Sequence, residues 1–173
     1  MWIRLAAPGD AGTLLAIYAP YVEQTAVSFE YVAPTEVEFK KRIVHTLEKY
    51  PYLVLEDQGQ VMGYAYAGPL KARAAYDWSA EVSIYLRMNA RGKGYGKALY
   101  TALEDALKQM GIRNLYACIA FAEQEDEYLT QASPRFHERM GYHRCGTFTQ
   151  CAFKFGRWYD MIWMEKMIGD NEE

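Results

Sequence analysis

The sequence predicts an α/β fold, a mixed sheet with helices on its faces, and the whole span 1–173 reads as a single domain. Three observations carry that expectation. Apolar periodicities follow one another in the order β-α-α-β-β-β-α-β-α-β-β, with no repeat, linker or low-complexity tract between them. From Trp78 to Met110 a strand runs into a glycine loop and then into an amphipathic helix, and the rest is arranged around that unit. With 51% apolar and 24% charged residues the chain can bury one sizeable core and is too apolar to stay disordered.

Trp2 to Ala6 reads as the first strand. After the Pro8-Gly9 turn, Asp10 is the expected N-cap of a helix carried by Leu14, Leu15, Ile17, Tyr18, Tyr21 and Val22. Thr25 to Tyr31 links it to a second helix, which a capping box of Thr35 and Glu38 opens and Pro51 ends. Ile43, Val44 and Leu47 form its apolar stripe. Tyr52 to Glu56 and Val61 to Ala67 are strands about a hairpin at Asp57-Gln58-Gly59-Gln60. Trp78 to Leu86 is the next strand. The helix beyond the glycine loop puts Leu99, Ala102, Leu103, Ala106, Leu107 and Met110 on one face, and Gly111 stops it. Asn114 to Ala120 is a strand, and Glu123-Gln124-Glu125-Asp126-Glu127 reads as a solvated acidic loop. Ser133 at the N-cap and Pro134 at the first helical position start a short helix through Phe136, His137 and Met140 to Gly141. Tyr142 to Met167 folds back as a hairpin around Phe155-Gly156-Arg157.

Strand, glycine loop and helix together make a device for holding phosphate. Glycines let backbone N–H groups approach an anion, and a helix start adds aligned donors and partial positive charge. The spacing excludes two familiar ligands. Glycines at 92, 94 and 96 read G-x-G-x-G, one residue short of the dinucleotide fingerprint. A nucleoside triphosphate loop needs four residues before Gly-Lys and then a hydroxyl for magnesium, whereas three separate Gly92 from Gly96-Lys97 and Ala98 follows. Arg91-x-x-Gly94-x-Gly96 remains, and a glycine-rich turn without any ligand shares that spacing.

Composition narrows the function classes. A net charge of −3 argues against nucleic acid or an anionic membrane as the main partner. No apolar run approaches the ~20 residues that span a bilayer, and no signal-peptide pattern follows Met1-Trp2-Ile3-Arg4. Cys118, Cys145 and Cys151 are odd in number and lack a C-x-x-C pair, which fits buried thiols in a reducing cytoplasm. His45 and His143 have no partners at metal-ligand spacing, so no metal site is expected. On the strand Trp78–Leu86, Glu81, Ser83 and Tyr85 share one face, and burial there would raise the Glu81 pKa towards that of a useful base. The strand alone equally allows a surface carboxylate.

The loop resembles the pyrophosphate loop of the GNAT acetyltransferase superfamily, and the element order agrees. Further stretches are similar to the branch of phosphinothricin acetyltransferases and relatives acting on methionine sulfoximine and sulfone. They are Ser28-Phe29-Glu30, Gly63-Tyr64-Ala65-Tyr66-Ala67, Ala72-Arg73-Ala74-Ala75-Tyr76 and Glu81-Val82-Ser83-Ile84-Tyr85, then Phe136-His137-Glu138-Arg139-Met140-Gly141-Tyr142 and Phe153-Lys154-Phe155-Gly156-Arg157-Trp158. The resemblance spans residue 2 to about 167. Two departures stand between Ile119 and Ser133: Thr130 replaces an asparagine that touches coenzyme A in the family, and acidic residues are inserted.

The resemblance implies the GNAT acyl-CoA N-acyltransferase fold, with a central, mostly antiparallel sheet and helices on both faces. It implies acetyl-CoA as co-substrate, held by Arg91, Gly92, Lys93, Gly94, Tyr95, Gly96 and Lys97, and paired along the main chain with Ile84, Tyr85 and Leu86. It makes Glu81 the general base and gives His137 a part in protonating the departing thiolate or relaying a proton. Arg73 would grip an acceptor carboxylate, and Phe29, Glu30, Tyr76 and Trp78 would form the acceptor walls. The turn Lys154–Trp158 belongs to the family's dimer-related site edge, so a homodimer is expected. The expected activity is direct acetyl transfer to the α-amine of a small amino acid or analogue. The rival readings are acetylation of a protein N-terminus or polyamine, and a non-catalytic acyl-CoA sensor.

Overall fold

The computed structural model describes residues 1–169. Its elements are β1 (Trp2–Leu5), α1 (Ala11–Gln24), α2 (Glu36–Leu47), β2 (Tyr52–Asp57), β3 (Gln60–Pro69), β4 (Ser79–Leu86), α3 (Tyr95–Gln109), β5 (Asn114–Phe121), α4 (Ala132–Arg139), β6 (His143–Lys154) and β7 (Arg157–Met167). The strands form one sheet in the order β1-β2-β3-β4-β5-β7-β6. Every neighbouring pair is antiparallel except β4 with β5. That is the mixed sheet expected from the order of periodicities.

The two faces bury different stripes. On one, Leu99, Tyr100, Leu103 and Leu107 of α3 pack on Leu55, Ala65, Val82, Leu115 and Ile162 of the strands. On the other, Leu14, Ile17 and Val22 of α1 and Phe39 and Ile43 of α2 cover Tyr52, Val54 and Tyr64. Each fully buried side chain of this size contributes about 1.5–3 kcal/mol, so the sheet is fixed from both sides. Tyr100 joins the α3 stripe although its ring carries a hydroxyl, while Met110, expected there, is 46% exposed just past the helix end.

Local signals mostly hold. Thr35 accepts from the Glu38 N–H and Glu38 from the Thr35 N–H, closing the capping box. Gln58 and Gly59 turn the β2–β3 hairpin with positive φ of 51° and 77°. Three expectations fail. Asp10 does not cap α1, because its carboxylate is drawn to the Arg4 guanidinium at 2.8 Å and to the Ala7 N–H at 2.7 Å. Ser133 does not cap α4, which starts at Ala132, so Ser133 and Pro134 fall inside its first turn. The three cysteines are exposed rather than buried. Among the described residues no helix is long and apolar enough to cross a membrane.

One irregularity positions everything that follows. β4 and β5 pair only through Ser79–Asn114, Ala80–Leu115 and Glu81–Tyr116, yet β4 continues to Leu86 and β5 to Phe121. Beyond Glu81 the two strands part. β4 stays on β3 through Ile84–Ala65, Tyr85–Tyr64 and Leu86–Gly63. Glycine at 63 permits that last pair, since a Cβ there would lie 2.8 Å from the Tyr85 carbonyl oxygen and collide with the Leu86 side chain.

Candidate active site

The parted strands enclose a cleft of about 440 Å³, lined by residues 82–86 of β4, 117–120 of β5, residues 90–92 and 94–97 of the glycine loop and one face of α4. At its mouth Gly92 and Gly94 hold φ of 77° and 80°, where side chains are strained. Nothing stands within 4 Å of where a Cβ would project from either. Gly94 is the N-cap of α3, so the N–H groups of Tyr95, Gly96 and Lys97 have no acceptor within the helix. Gly96 is needed for another reason: a Cβ there would come within 3.0 Å of the Phe136 ring, so glycine lets α4 lie across the start of α3. Arg91, Lys93 and Lys97 are exposed around this mouth. Open amides, a helix start and three cations suit the diphosphate of a coenzyme A thioester. Tyr95 contributes only its backbone, since its ring is buried and its hydroxyl donates to Asp57 at 2.7 Å.

Glu81 is the last paired residue before the strands part, and the cleft lining begins at Val82. Its carboxyl is half-buried, and burial raises its pKa, with Lys71 nearby pulling the other way. Cys118 of β5 opens on the same cleft, where partial burial of its sulfur and the Glu81 carboxylate push its thiol up to about 12. Tyr66 of β3 stands opposite Ser83 across the ladder, two residues from Glu81.

His137 lies on the opposite wall, 3% exposed. Its Nδ1 faces the Ser133 carbonyl oxygen at 2.8 Å, which requires an N–H there, and its Nε2 accepts from the Tyr100 hydroxyl at 2.8 Å. Burial pulls its pKa down to about 4. A neutral ring with both nitrogens engaged has no proton to give at pH 7, so direct protonation of a thiolate is not the role this geometry favours. The ring instead fixes the hydroxyl of Tyr100, a residue that also lines the cleft.

The expected acceptor residues are not gathered equally. Phe29 packs near Tyr159, with ring centroids 6.5 Å apart, beside the cleft end of α1. Glu30 is already taken: it accepts from Arg42 at 2.6 and 3.2 Å and from the Tyr18 hydroxyl at 2.6 Å. Burial alone would raise its pKa, but Arg42 and Tyr18 outweigh that and lower it. Arg73 and Tyr76 stand exposed on the β3–β4 connection, whose Lys71 approaches Glu81. Trp78 is set apart from the parted end of the strands. It flanks a separate hollow with Arg113, Asn114 and Met167, because it sits at the paired end of β4 and β5 rather than the parted one.

The acidic stretch is structured. Asp126 accepts from the Tyr128 and Leu129 N–H groups and from the Tyr159 hydroxyl, all within 2.8 Å. Arg157 pairs with Asp126 and Glu127, and Arg135 with Glu125. The Tyr128 ring stacks on Phe155 at 4.1 Å. This strap brings Leu129 and Thr130 onto the cleft. The Glu125, Asp126 and Glu127 carboxylates are each paired with an arginine, which weakens the ground for a cationic acceptor. The run Asp126-Glu127-Tyr128 carried the missed signal, an aspartate able to bond the backbone two and three residues on. Lys154 was missed as well: its ammonium, 5% exposed, donates to the Val22 and Ser28 carbonyls at 2.7 Å and anchors the loop bearing Phe29 and Glu30.

Residues 3–163 match the family described as the acetyltransferase (GNAT) domain. The chain belongs to the GNAT acetyltransferase family. Within it the chain is 34% identical to a phosphinothricin N-acetyltransferase of Streptomyces viridochromogenes over 92% of its own length and 83% of that protein's. A phosphinothricin acetyltransferase of Sinorhizobium meliloti, solved in complex with acetyl-CoA, superposes with a TM-score of 0.85 at 34% identity, covering 97% of this chain and 88% of that one. A ribosomal-protein-alanine N-acetyltransferase of Brucella melitensis superposes with a TM-score of 0.88 at 32% identity, covering 97% and 100%. As a GNAT domain the chain combines the glycine loop, the parted strands and a desolvated carboxylate at their fork.

Proposed function

We propose that this protein transfers acetyl from acetyl-CoA to the α-amine of a small amino acid or analogue, such as phosphinothricin or methionine sulfone, by direct attack in a ternary complex. The observation that carries this reading is the fork itself: Glu81 is the last residue paired before β4 and β5 part, and next to it, from Val82, begins a cleft also lined by the glycine loop. Acetyl-CoA supplies a thioester as the acetyl donor. Amides of residues 92–97, with Arg91, Lys93 and Lys97, hold its diphosphate, and backbone groups of Ile84, Tyr85 and Leu86 hold its arm. A main-chain N–H on that stretch donates to the developing negative charge on the acyl oxygen, a contribution of ~3–4 kcal/mol.

Glu81 takes the proton from the incoming ammonium, directly or through one water. An α-amine with a pKa near 8 is already about a tenth neutral at pH 7, whereas a lysine-type amine near 10.4 is below about a thousandth, so a weak base suffices only for the former. A desolvated carboxylate makes no sense in a passive sensor, and its presence favours turnover. We assign to Tyr100, which lines the cleft and whose hydroxyl His137 holds, a place near the departing thiol. We place Arg73 at the acceptor carboxylate, where its fork can donate two parallel bonds.

A free-thiol assay over amino acids, phosphinothricin, methionine sulfoximine and sulfone, polyamines and an alanine-initiated peptide tests the reading. Release with the amino acid analogues is expected. Release with the peptide alone would favour the second reading, protein N-terminal acetylation, which the Brucella neighbour's name supports. Arg73→Ala should raise KM about tenfold or more for the free acid, as expected for a charge-assisted pair, and much less for the carboxamide; equal effects on both would remove Arg73 from that role.

A homodimer completes the proposal. β6 is the last strand of the sheet, and Phe148, Phe153 and Trp158 stand exposed on it and on β7, with Trp158 61% exposed. The Phe153 carbonyl accepts from the Tyr31 hydroxyl, so this surface is joined to the acceptor-side loop. Light scattering should give twice the chain mass, and a monomeric mass at working concentration would refute it.

A further inference from the structure

We infer that Tyr21 is a positioning residue for the coenzyme grip, holding the exit of β4 so that Arg91 meets the diphosphate. The inference rests on the acetyl-CoA reading above. Tyr21 belongs to α1, on the acceptor side of the sheet, yet it reaches the cofactor side. Its ring is 6% exposed, meets Tyr85 edge-on with centroids 5.4 Å apart, and lines the cleft. Its hydroxyl donates to the Leu86 carbonyl at 2.5 Å, and Arg91, five residues further on, lines the same cleft.

Leu86 is the last residue of β4, and four residues separate it from Arg91. That short connection is tethered on its other side. The Arg87 N–H donates to the Met62 carbonyl at 2.9 Å, and the Arg87 Nε donates to Val61 at 2.6 Å. The Ala90 N–H closes a turn onto the Arg87 carbonyl at 2.9 Å. The segment 86–90 is therefore clamped between β3 and α1, and the clamp on the α1 side is one phenolic hydroxyl. With its proton donated to Leu86, the Tyr21 oxygen fixes the strand end from which the chain runs on to Arg91.

The C-terminal turn of α1 is held as well. The Thr25 hydroxyl donates to the Tyr21 carbonyl at 2.6 Å, and the Lys154 ammonium donates to that of Val22. Tyr21 is thus anchored rigidly enough to act as a post. Losing the hydroxyl would leave the ring packed and the glycine loop intact but free the direction of Arg91.

The test is Tyr21→Phe, read with two donors. With acetyl-CoA, KM should rise about five- to tenfold, the scale of one hydrogen bond, while kcat moves by less than about twofold. With S-acetylpantetheine, which lacks the diphosphate, KM should equal that of the unmodified protein. A purely structural role would instead lower the melting temperature and shift both donors alike, and that result would overturn the inference. A second measurement is a double-mutant cycle with Arg91→Ala on acetyl-CoA affinity, where the Tyr21→Phe effect should shrink in the Arg91→Ala background. Effects that simply multiply would also overturn it. Calorimetry separates the two levels of failure: no heat from the unmodified protein with acetyl-CoA sinks the underlying reading, whereas equal binding by it and by Tyr21→Phe sinks Tyr21 alone.

Discussion

Glu81→Gln should leave acetyl-CoA affinity nearly unchanged and lower kcat about a hundredfold or more, the usual range for a lost general base. Glutamine keeps the shape of the side chain and its place at the fork, so the coenzyme contacts beyond residue 82 are untouched. What goes is the ability to accept a proton. Because burial raises the Glu81 pKa, the rate should climb with pH as this carboxyl ionises, from an onset above the ordinary glutamate value. In Glu81→Gln that limb should vanish; an unchanged pH–rate profile would show that another group is the base.

The same shift has a stability consequence of definite sign. The folded-state pKa lies above the unfolded value, so the folded protein holds this proton more tightly. Below the unfolded pKa both states carry the proton and no penalty exists. As pH rises through the folded pKa, the buried carboxylate must ionise and the fold loses stability. Glu81→Gln should therefore melt higher than the unmodified protein at pH 7 and level with it near pH 4. A lower melting temperature at pH 7 would show that Glu81 contributes to the fold through contacts that its burial does not reveal.

Gly94→Val should abolish coenzyme binding, raising the acetyl-CoA Kd about a hundredfold or more. At φ of 80° a β-branched residue is strongly disfavoured, and even an unbranched one costs about 1–2 kcal/mol. The loop would relieve that strain by turning away from the left-handed conformation. Its amides would then turn with it and lose several charge-assisted hydrogen bonds, each contributing about 1.5–3 kcal/mol. No neighbour crowds the site, since nothing lies within 4 Å of the missing Cβ, so the fold should survive. Titration calorimetry beside circular dichroism separates the two effects. A folded Gly94→Val that binds acetyl-CoA like the parent would remove the loop from the grip.

Much of this was legible before any coordinates, and the reasons are local. The element order follows from apolar period, and the loop follows from glycine spacing, because both are written in contiguous residues. Three kinds of feature were not. Asp10 and Ser133 looked like caps, but competing partners, the Arg4 guanidinium and the helix start at Ala132, decided otherwise. The state of His137 depends on Tyr100, which lies 37 residues away in the chain and reaches it only in the folded protein. Trp78 sits three residues from Glu81, close enough in sequence to be counted with it, yet at the opposite end of the β4–β5 pairing. Sequence proximity along a strand says nothing about which end of a fork a residue occupies.

The short β4–β5 pairing carries one more implication. A sheet that opens at its centre leaves main-chain donors and acceptors facing water where most proteins seal them, and such unpaired strand borders invite another extended chain to pair with them. Without its thioester partner the protein is, in this sense, a seven-stranded sheet short of a strand. Amides from Val82 to Leu86 should then be the place where the ligand slows solvent exchange most, and concentrated stocks should keep longer when stored with it.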